Sequence, residues 1–449
     1  MALSGLDIYK LLPKTNCKAC GFPTCLAFAM QLAKKAVSID ACPSVSKETK
    51  AALEAAAQPP IRLVSVGRPE KPLDMGNETV LFRHEEKFRN PCGLGFVIDD
   101  SLSDDEITVR VQKINQLKFE RVGQELQVNA VAVKQTGNAE RFVEAVRLVG
   151  ARTQLAIVLM SQDAQALAGA LPLLKDTKPV VFSVTGASVD SLLPAIAPFK
   201  PAVVVSASDL QGVAALTQQL TRQGIQDILL DTGAKPCAQK LWDLTQIRRL
   251  ALRKSERSLG FPSIVVVDEQ DPAAEALQAA TYILKYAGLV LVRSIENWQS
   301  YALLTLRQNI YSDPQKPLQI EPKLYEIGTV TRESPVLVTT NFSLSYYTVL
   351  GEVEASKIPV YILSVDTEGM SVLTAWAAEK FTPERITQTL QKMAVRDKAQ
   401  KSALVIPGYV AVMSGDLEDQ SKWDIIVGPK EASGIPAFLK TLGHGKANR

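Results

Sequence analysis

Four of the six cysteines crowd into one short stretch, at Cys17, Cys20, Cys25 and Cys42. The first three lie in NCKACGFPTC, with two and then four residues between them, and a helical pattern, LAFAMQLAKKAV, leads on to DACP. A two-residue spacing lets two thiolates reach one metal centre. Gly21 and Pro23 turn the chain towards the third, and the helix returns the fourth from the other side. Four soft anionic donors so placed suit a [4Fe-4S] cluster. Zinc is the rival, since four-cysteine zinc sites also use the two-residue spacing. Those sites usually pair two short knuckles, however, and the second is missing here. Cys92, in NPCGLGF, and Cys237, in GAKPCAQ, read as a buried free thiol or a loop residue. With only two histidines, His84 and His444, histidine-rich metal sites and mechanisms needing several imidazoles are excluded.

A second concentration of polar groups falls near the C-terminus, in three loops that each follow a strand-like run: TTNFS, DTEGMSVLT and GPKEASG. Open parallel sheets bind ligands at the carboxyl ends of their strands. Loop amides and helix starts, with the hydroxyls of Thr340, Ser343, Ser371, Thr374 and Ser433, suit a phosphorylated cofactor. Taken singly, each hydroxyl is equally a helix cap. No GxGxxG follows a strand and no P-loop lysine motif occurs, so an ordinary dinucleotide or ATP site has little support.

The elements that position these groups follow from length and pattern. The 449 residues suggest roughly three domains. The 46% hydrophobic and 22% charged content is that of a globular chain, and a net charge of +3 argues against a large polyanion-binding surface. QIRRLALRKSERS, at 246–258, reads as a solvated helix face, so no nucleic acid is expected. The apolar runs are too short to span a bilayer and no signal core opens the chain; a soluble, cytoplasmic protein with no membrane partner is expected. Residues 1–57 form a cysteine module ending in an alanine-rich helix, SKETKAALEAAA. Residues 58–92 read as a linker with short strands. From 93 to 325, short apolar strands alternate with amphipathic helices. The strand candidates are 126–134, 155–160, 179–185, 201–207, 227–233, 262–269, 289–295 and 317–322. Eight such units suit a (β/α)8 barrel, with a doubly wound sheet as the alternative. Residues 326–449 read as a smaller α/β domain.

The chain resembles, over essentially its whole length, the large (gamma) subunits of the corrinoid iron–sulfur proteins of the anaerobic acetyl-CoA pathway. LDIYKLLPKTNCKACGFPTCLAFAMQLAKKAVSIDACP matches the family's cluster module and ETVLFRHEEKFRNPCGLG its junction to the barrel. The resemblance implies a [4Fe-4S] cluster on Cys17, Cys20, Cys25 and Cys42, a central TIM barrel, and a C-terminal Rossmann-like domain that binds a cobalamin-like corrinoid. Carried over residue by residue, the corrinoid lies over Thr340, Asn341, Ser343 and Tyr346 on one side and Gly369, Met370, Ser371, Val372, Leu373 and Thr374 on another. Its nucleotide tail runs towards Gly408, Gly428, Ala432, Ser433 and Gly434.

The implied activity is that of a methyl carrier rather than a stand-alone catalyst. A separate methyltransferase passes the methyl group of methyltetrahydrofolate to cobalt(I), acetyl-CoA synthase/carbon monoxide dehydrogenase receives it, and the cluster reactivates cobalt(II). The implied partners are these two enzymes, a small subunit completing a heterodimer, and a low-potential donor such as ferredoxin. The Asp-x-His-x-x-Gly motif that supplies an axial imidazole in many corrinoid proteins is missing, so the cofactor is expected base-off and without a protein histidine. Asp231 and Asp268, at the carboxyl ends of barrel strands, are candidate acids to which the family assigns no chemistry; they are read as structural or interface groups. An iron–sulfur electron carrier without corrinoid and a zinc-stabilised structural subunit are the other readings.

Overall fold

Runs of Val, Ile, Leu and Ala form a closed barrel in the computed structural model, which describes residues 5–33, 36–46, 49–50, 59–399 and 403–444. By contacts the chain divides into two compact units, one running to Phe119 and over Leu126–Tyr311, the other comprising Glu120–Glu125 and residues from Ser312 onwards.

The first unit opens with two helices, α1 (Gly5–Leu11) and α2 (Cys25–Ala33), which bury Ile8, Leu12, Phe28 and Ala29 in a small core of their own. The expected alanine-rich helix at 46–57 falls almost wholly outside the described residues. An antiparallel hairpin, β1 (Val64–Arg68) and β2 (Lys71–Met75), follows. Then come β3 (Gly93–Asp99), a second hairpin of β4 (Lys118–Arg121) and β5 (Gln124–Gln127), whose Glu120–Glu125 stretch counts with the second unit, and seven strands separated by helices. These are β6 (Ala130–Lys134), β7 (Ala156–Met160), β8 (Val180–Val184), β9 (Ala202–Ser206), β10 (Ile228–Asp231), β11 (Ser263–Val266) and β12 (Ala287–Val292). β3 and β6 to β12 pair in parallel, and β12 closes on β3. Both faces of such strands are covered, which is why they read as unbroken apolar runs. Alternate residues point outward to the helices, as Phe96, Ile98 and Val131 do, or inward, as Val97, Ala132 and Val158 do.

The barrel's eighth strand is not where the sequence put it. Residues 317–322 lie in the second unit with a single bridge, Gln319 to Phe342, and the missing strand is β3, inside what read as a junction. Two glycines disguise it. A Cβ on Gly93 would meet Leu289 Cδ1 at 2.9 Å, and one on Gly95 would meet Leu291 Cδ2 at 2.7 Å, so close strand packing demands glycine here. Part of the supposed linker also belongs to the barrel. Val64, Val66, Leu73 and Met75 of the first hairpin join the inner core, and Gly67 and Lys178 exchange backbone hydrogen bonds of 2.8 and 2.9 Å. The hairpin closes the amino end of the barrel and leaves the carboxyl end open.

The segment between the hairpin and β3 is clamped by Arg248. Its guanidinium donates to Glu78 Oε2 at 2.8 Å and to the Val80 carbonyl, and lies 4.5 Å from the Phe88 ring centroid and 4.6 Å from that of Tyr286. Both charged side chains are buried. Replacing Arg248 by Met leaves the Glu78 carboxylate buried without its cation, and about 3–5 kcal/mol of stability is expected to be lost. A lower urea midpoint for the barrel transition reads this directly. Arg248→Lys should recover only part of the loss, because an ammonium lacks the planar fork and the stacked faces.

The second unit is an open sheet in the order β13–β15–β14–β16–β17. β13 (Leu324–Ile327) is an antiparallel edge, and β14 (Val336–Thr340), β15 (Val360–Val365), β16 (Leu404–Ile406) and β17 (Ile425–Val427) are parallel. Separate cores, one around Phe381, Ile386 and Leu417, the other around Val353, Ile435 and Leu439, show that both faces are covered. The chain leaves β14 to form β15 on one side and returns to form β16 on the other. The carboxyl ends of β14 and β16 therefore flank a topological switch point. Among the described residues, no helix is long and apolar enough to cross a membrane.

Candidate functional site

The cysteine loop is held by its own backbone. Lys14, Asn16, Lys18 and Gly21 all take left-handed φ values, 59°, 48°, 60° and 82°. Such alternation aims N–H groups to one side, the form of backbone that cradles anions. Asn16 shows the result: its N–H donates to Cys25 Sγ at 3.4 Å, and its Oδ1 accepts from the Cys25 N–H at 2.8 Å. Cys25 opens α2 and is buried, as is Cys42, which follows a short 3-10 turn at Ile39–Ala41. Cys20 and Phe22 pack against the same core. Cys17 stands at the surface with its Sγ 4.0 Å from Ser44 Oγ. The N–H of Ala19, then the hydroxyls of Thr15 and Ser44, hold its thiol below the ordinary range.

Three of the four thiols thus share one apolar shell, and the fourth sits outside it. Among the described residues, no group of three or more His, Cys, Asp or Glu side chains stands ready around a common metal position. The donor set itself fits an iron–sulfur centre: four thiols, two shielded from water and one already accepting an N–H bond. Cys92 has no such surroundings; it is fully buried, and burial pushes its thiol up to about 12. His84 stacks on Phe82, with centroids 5.5 Å apart, and the His444 side chain lies outside the described residues.

The switch point of the second unit holds a cavity of about 320 Å3. Its floor is Leu337, Val338, Val405 and Ile406. One wall is a face of the helix Ser343–Ser356, made by Leu344, Ser345, Thr348 and Val349. The loops after β16 and β17 complete it with Tyr409, Pro429 and Lys430, and the last helix (Ile435–His444) adds Phe438. Lys430 makes no ion pair or hydrogen bond among the described residues and is the cation of the lining.

The residues singled out in the sequence fall into three groups. Ser371, Val372, Gly428 and Ala432 line the cavity. Gly408 shapes it from behind: its N–H donates to the Pro429 carbonyl at 3.1 Å, and a Cβ would lie 2.6 Å from the Gly428 oxygen. Asn341 and Gly369 shape the loop beyond β15. Asn341 Oδ1 accepts from the N–H groups of Thr367 and Gly369 at 2.9 and 3.0 Å, while its Nδ2 donates to Gln319 and Asp366. Gly369 has φ 76°, and a Cβ there would meet Gln319 Cγ at 2.6 Å. Met370 belongs to the same turn, its N–H reaching the Thr367 carbonyl at 3.2 Å.

The others stand off the cavity. Ser343 donates its hydroxyl to the Leu318 carbonyl. Tyr346 packs against Tyr325 at 4.6 Å, and burial raises its phenol well above the ordinary range. Thr340 is fully buried, its hydroxyl without a partner. Thr374 faces the Ser371 hydroxyl at 3.0 Å, Leu373 and Ser433 are exposed, and Gly434 closes a turn onto Glu431. Sequence reasoning missed Thr348, Val349, Tyr409 and Phe438; Leu344, Ser345 and Lys430 lie within the stretches it marked without being singled out. The helical spacing of Leu344, Ser345, Thr348 and Val349 is the one signal that points to that wall.

Comparison with known proteins adds the following. Residues 63–439 match the family described as CO dehydrogenase/acetyl-CoA synthase delta subunit. Residues 12–44, which contain all four clustered cysteines, match the family described as putative Fe-S cluster. The chain is 45% identical over 441 residues to the corrinoid/iron-sulfur protein large subunit of Moorella thermoacetica, covering 98% of this chain and 99% of that one. It is 33% identical over 456 residues to the acetyl-CoA decarbonylase/synthase complex subunit gamma of Methanothermobacter thermautotrophicus, again covering 98% and 99%. Among solved structures, dihydropteroate synthase from Thermus thermophilus matches 55% of this chain and 100% of its own, at 14% identity and a TM-score of 0.38.

Proposed function

Since the chain belongs to the corrinoid/iron–sulfur protein large-subunit family of the acetyl-CoA pathway, we propose that it serves as a methyl carrier holding a corrinoid in its second unit and a [4Fe-4S] cluster in its cysteine module. When bound, the corrinoid supplies a cobalt nucleophile that accepts and releases a methyl group, and the cluster supplies the low-potential electron that restores it after oxidation. The methyl donor is methyltetrahydrofolate acting through a separate methyltransferase, and the acceptor is acetyl-CoA synthase. A small subunit and a ferredoxin-like donor complete the set of partners.

The observation that carries this reading is the switch-point cavity. Its walls are aliphatic and aromatic and exclude water from a bulky organic tail, while Lys430 and the backbone amides of the Gly428–Gly434 loop offer charge and donors to a phosphodiester. Asn341 keeps the loop beyond β15 in the shape that presents Ser371 and Val372 to that tail. No Asp-x-His-x-x-Gly motif occurs in the sequence, and the cobalt is proposed to receive no protein imidazole. In the cysteine module, Cys17, Cys20, Cys25 and Cys42 hold the cluster, and the Asn16 N–H tempers the charge on Cys25.

The test is anaerobic purification with the small subunit, followed by iron, sulfide and cobalt analysis and a visible spectrum. About four irons and one cobalt per chain are expected, with a corrinoid spectrum that sharpens on reduction. Iron without cobalt, persisting after corrinoid reconstitution, overturns the carrier in favour of an electron-transfer protein. Zinc in place of iron overturns the mechanism at its first step.

A further inference from the structure

The methyl-carrier reading leaves the open end of the barrel unused, and in barrels of this kind that end is where ligands bind. The ends of β6, β7 and β8 enclose a cavity of about 360 Å3 there. Met160 and Phe182, each half-buried against the inner core, form its apolar side. Its rim is a fixed polar network. Asp100 accepts from the N–H groups of Thr136 and Gly137 at 2.8 and 3.2 Å, and the Ser161 hydroxyl donates to Gln135 Oε1.

Apart from the exposed Gln162, two polar side chains of the lining stand outside that network. Lys134, half-buried at the end of β6, makes no ion pair or hydrogen bond through its ammonium among the described residues. Ser183 is only 5% exposed, yet its hydroxyl has no hydrogen-bond partner among the described residues and is not sealed from solvent. Neighbours along a regular strand face opposite sides. The pairing of β8 with β9 shifts between Val181 and Val184, and Phe182 and Ser183 both line the cavity. Shifts of this kind re-aim side chains, often beside functional sites. Other charges at this end are already satisfied. Asp231 accepts from Lys240 Nζ and from Ser206 Oγ, each at 2.8 Å, and Arg293 lies 3.6 Å from the exposed Asp268. Lys134 is the cation of the lining.

We propose that this cavity binds a small organic monoanion with a flat apolar body. A half-buried ammonium without a counter-ion draws a negative group, and the Ser183 hydroxyl offers a further hydrogen bond inside the cavity. The Met160 thioether and the Phe182 ring take the flat part, since both pack well on a π face. A dianion such as phosphate fits poorly. The lining supplies a single cation, and Asp99, outside the lining, stands beside Lys134 in register on β3 and opposes a second negative charge. The cavity volume falls within the range of small-molecule sites. This site is built wholly from the first unit and does not depend on the corrinoid reading.

The experiment titrates benzoate calorimetrically into the full chain in its purified complex, with benzamide as the uncharged counterpart. Benzoate is expected to saturate below about 10 mM, and benzamide to bind about ten-fold more weakly or worse. Lys134→Met should weaken benzoate by about ten-fold or more and bring it level with benzamide. Lys175→Met, at an exposed position before β8 and so at the other end of the barrel, should leave binding unchanged. Where Lys134→Met fails to fold, Gln162→Trp on the exposed rim decides, because an indole over the mouth should abolish binding. Failure of benzoate to saturate overturns the proposal. So does benzamide binding equally well, or benzoate binding that is indifferent to Lys134→Met or, in its place, Gln162→Trp. Inorganic phosphate binding more tightly than benzoate, and lost in the same variant, overturns the ligand class.

Discussion

Removal of residues 1–57 is expected to leave methyl transfer intact in protein supplied pre-reduced, and to abolish recovery once the cofactor has oxidised. The four clustered cysteines lie within the removed stretch, and among the described residues the small core beneath them, Ile8, Leu12, Phe28 and Ala29, draws on no residue of the barrel or the C-terminal sheet. The cavity proposed for the corrinoid is built only from residues after Ser312. The cut also spares β1, which begins at Val64 and is needed to close the barrel. Single-turnover methylation of chemically reduced protein should therefore stay within about two-fold of the parent, as for sites that share no contacts. Reactivation by a low-potential donor should fall below detection. A truncated chain that lost its corrinoid, or failed at transfer from the reduced state, would show that the two tasks are not divided between these parts.

Filling the switch-point cavity should be as damaging to the cofactor as removing the cysteines is to its rescue. Ser345 lies on the helical wall of the cavity and is half-buried, so Ser345→Trp places an indole where the tail is proposed to sit. Bound cobalt per chain is expected to fall by about ten-fold or more, with iron content unchanged, because a filled pocket admits no ligand whatever its polar contacts offer. Ala355→Trp is the matched control. Ala355 is exposed on the same helix and off the lining, and its replacement should retain the corrinoid. Full cobalt occupancy in Ser345→Trp would place the corrinoid elsewhere.

What was legible in the sequence follows from how local each feature is. The cysteine cluster is a matter of spacing along one short stretch, and it announces itself. Seven barrel strands do so too, because burial on both faces leaves apolar runs such as AIVLM at 156–160. β3 escaped because Gly93 and Gly95 satisfy the close approach of Leu289, Leu291 and Ala130, strands distant in sequence. The first hairpin was read as short strands within a linker for a similar reason: its strands are five residues long, and only their partners across the barrel reveal which side chains are buried. The cavity was the hardest to see. A void is defined by what several elements fail to fill, and a helix face mixing Leu344, Ser345, Thr348 and Val349 carries no hydrophobic stripe to betray it. Asn341 was singled out as a ligand contact; in the structure its Oδ1 holds a turn through three N–H and O–H donors, which only the folded loop reveals.

The closing hairpin also constrains how the chain is made. Gly67 must pair with Lys178, about 110 residues later, and Gly67 packs on Ala156 of β7. During synthesis, Val64, Val66, Leu73 and Met75 therefore leave the ribosome well before the strands that cover them exist. A nascent chain in that interval presents a short, sticky ribbon with unpaired edges, the kind of surface that chaperones shield. Docking it is a long-range event that comes late and slowly. Expression at low temperature or with chaperones in excess should raise the yield of intact protein more than any change to the cysteine module.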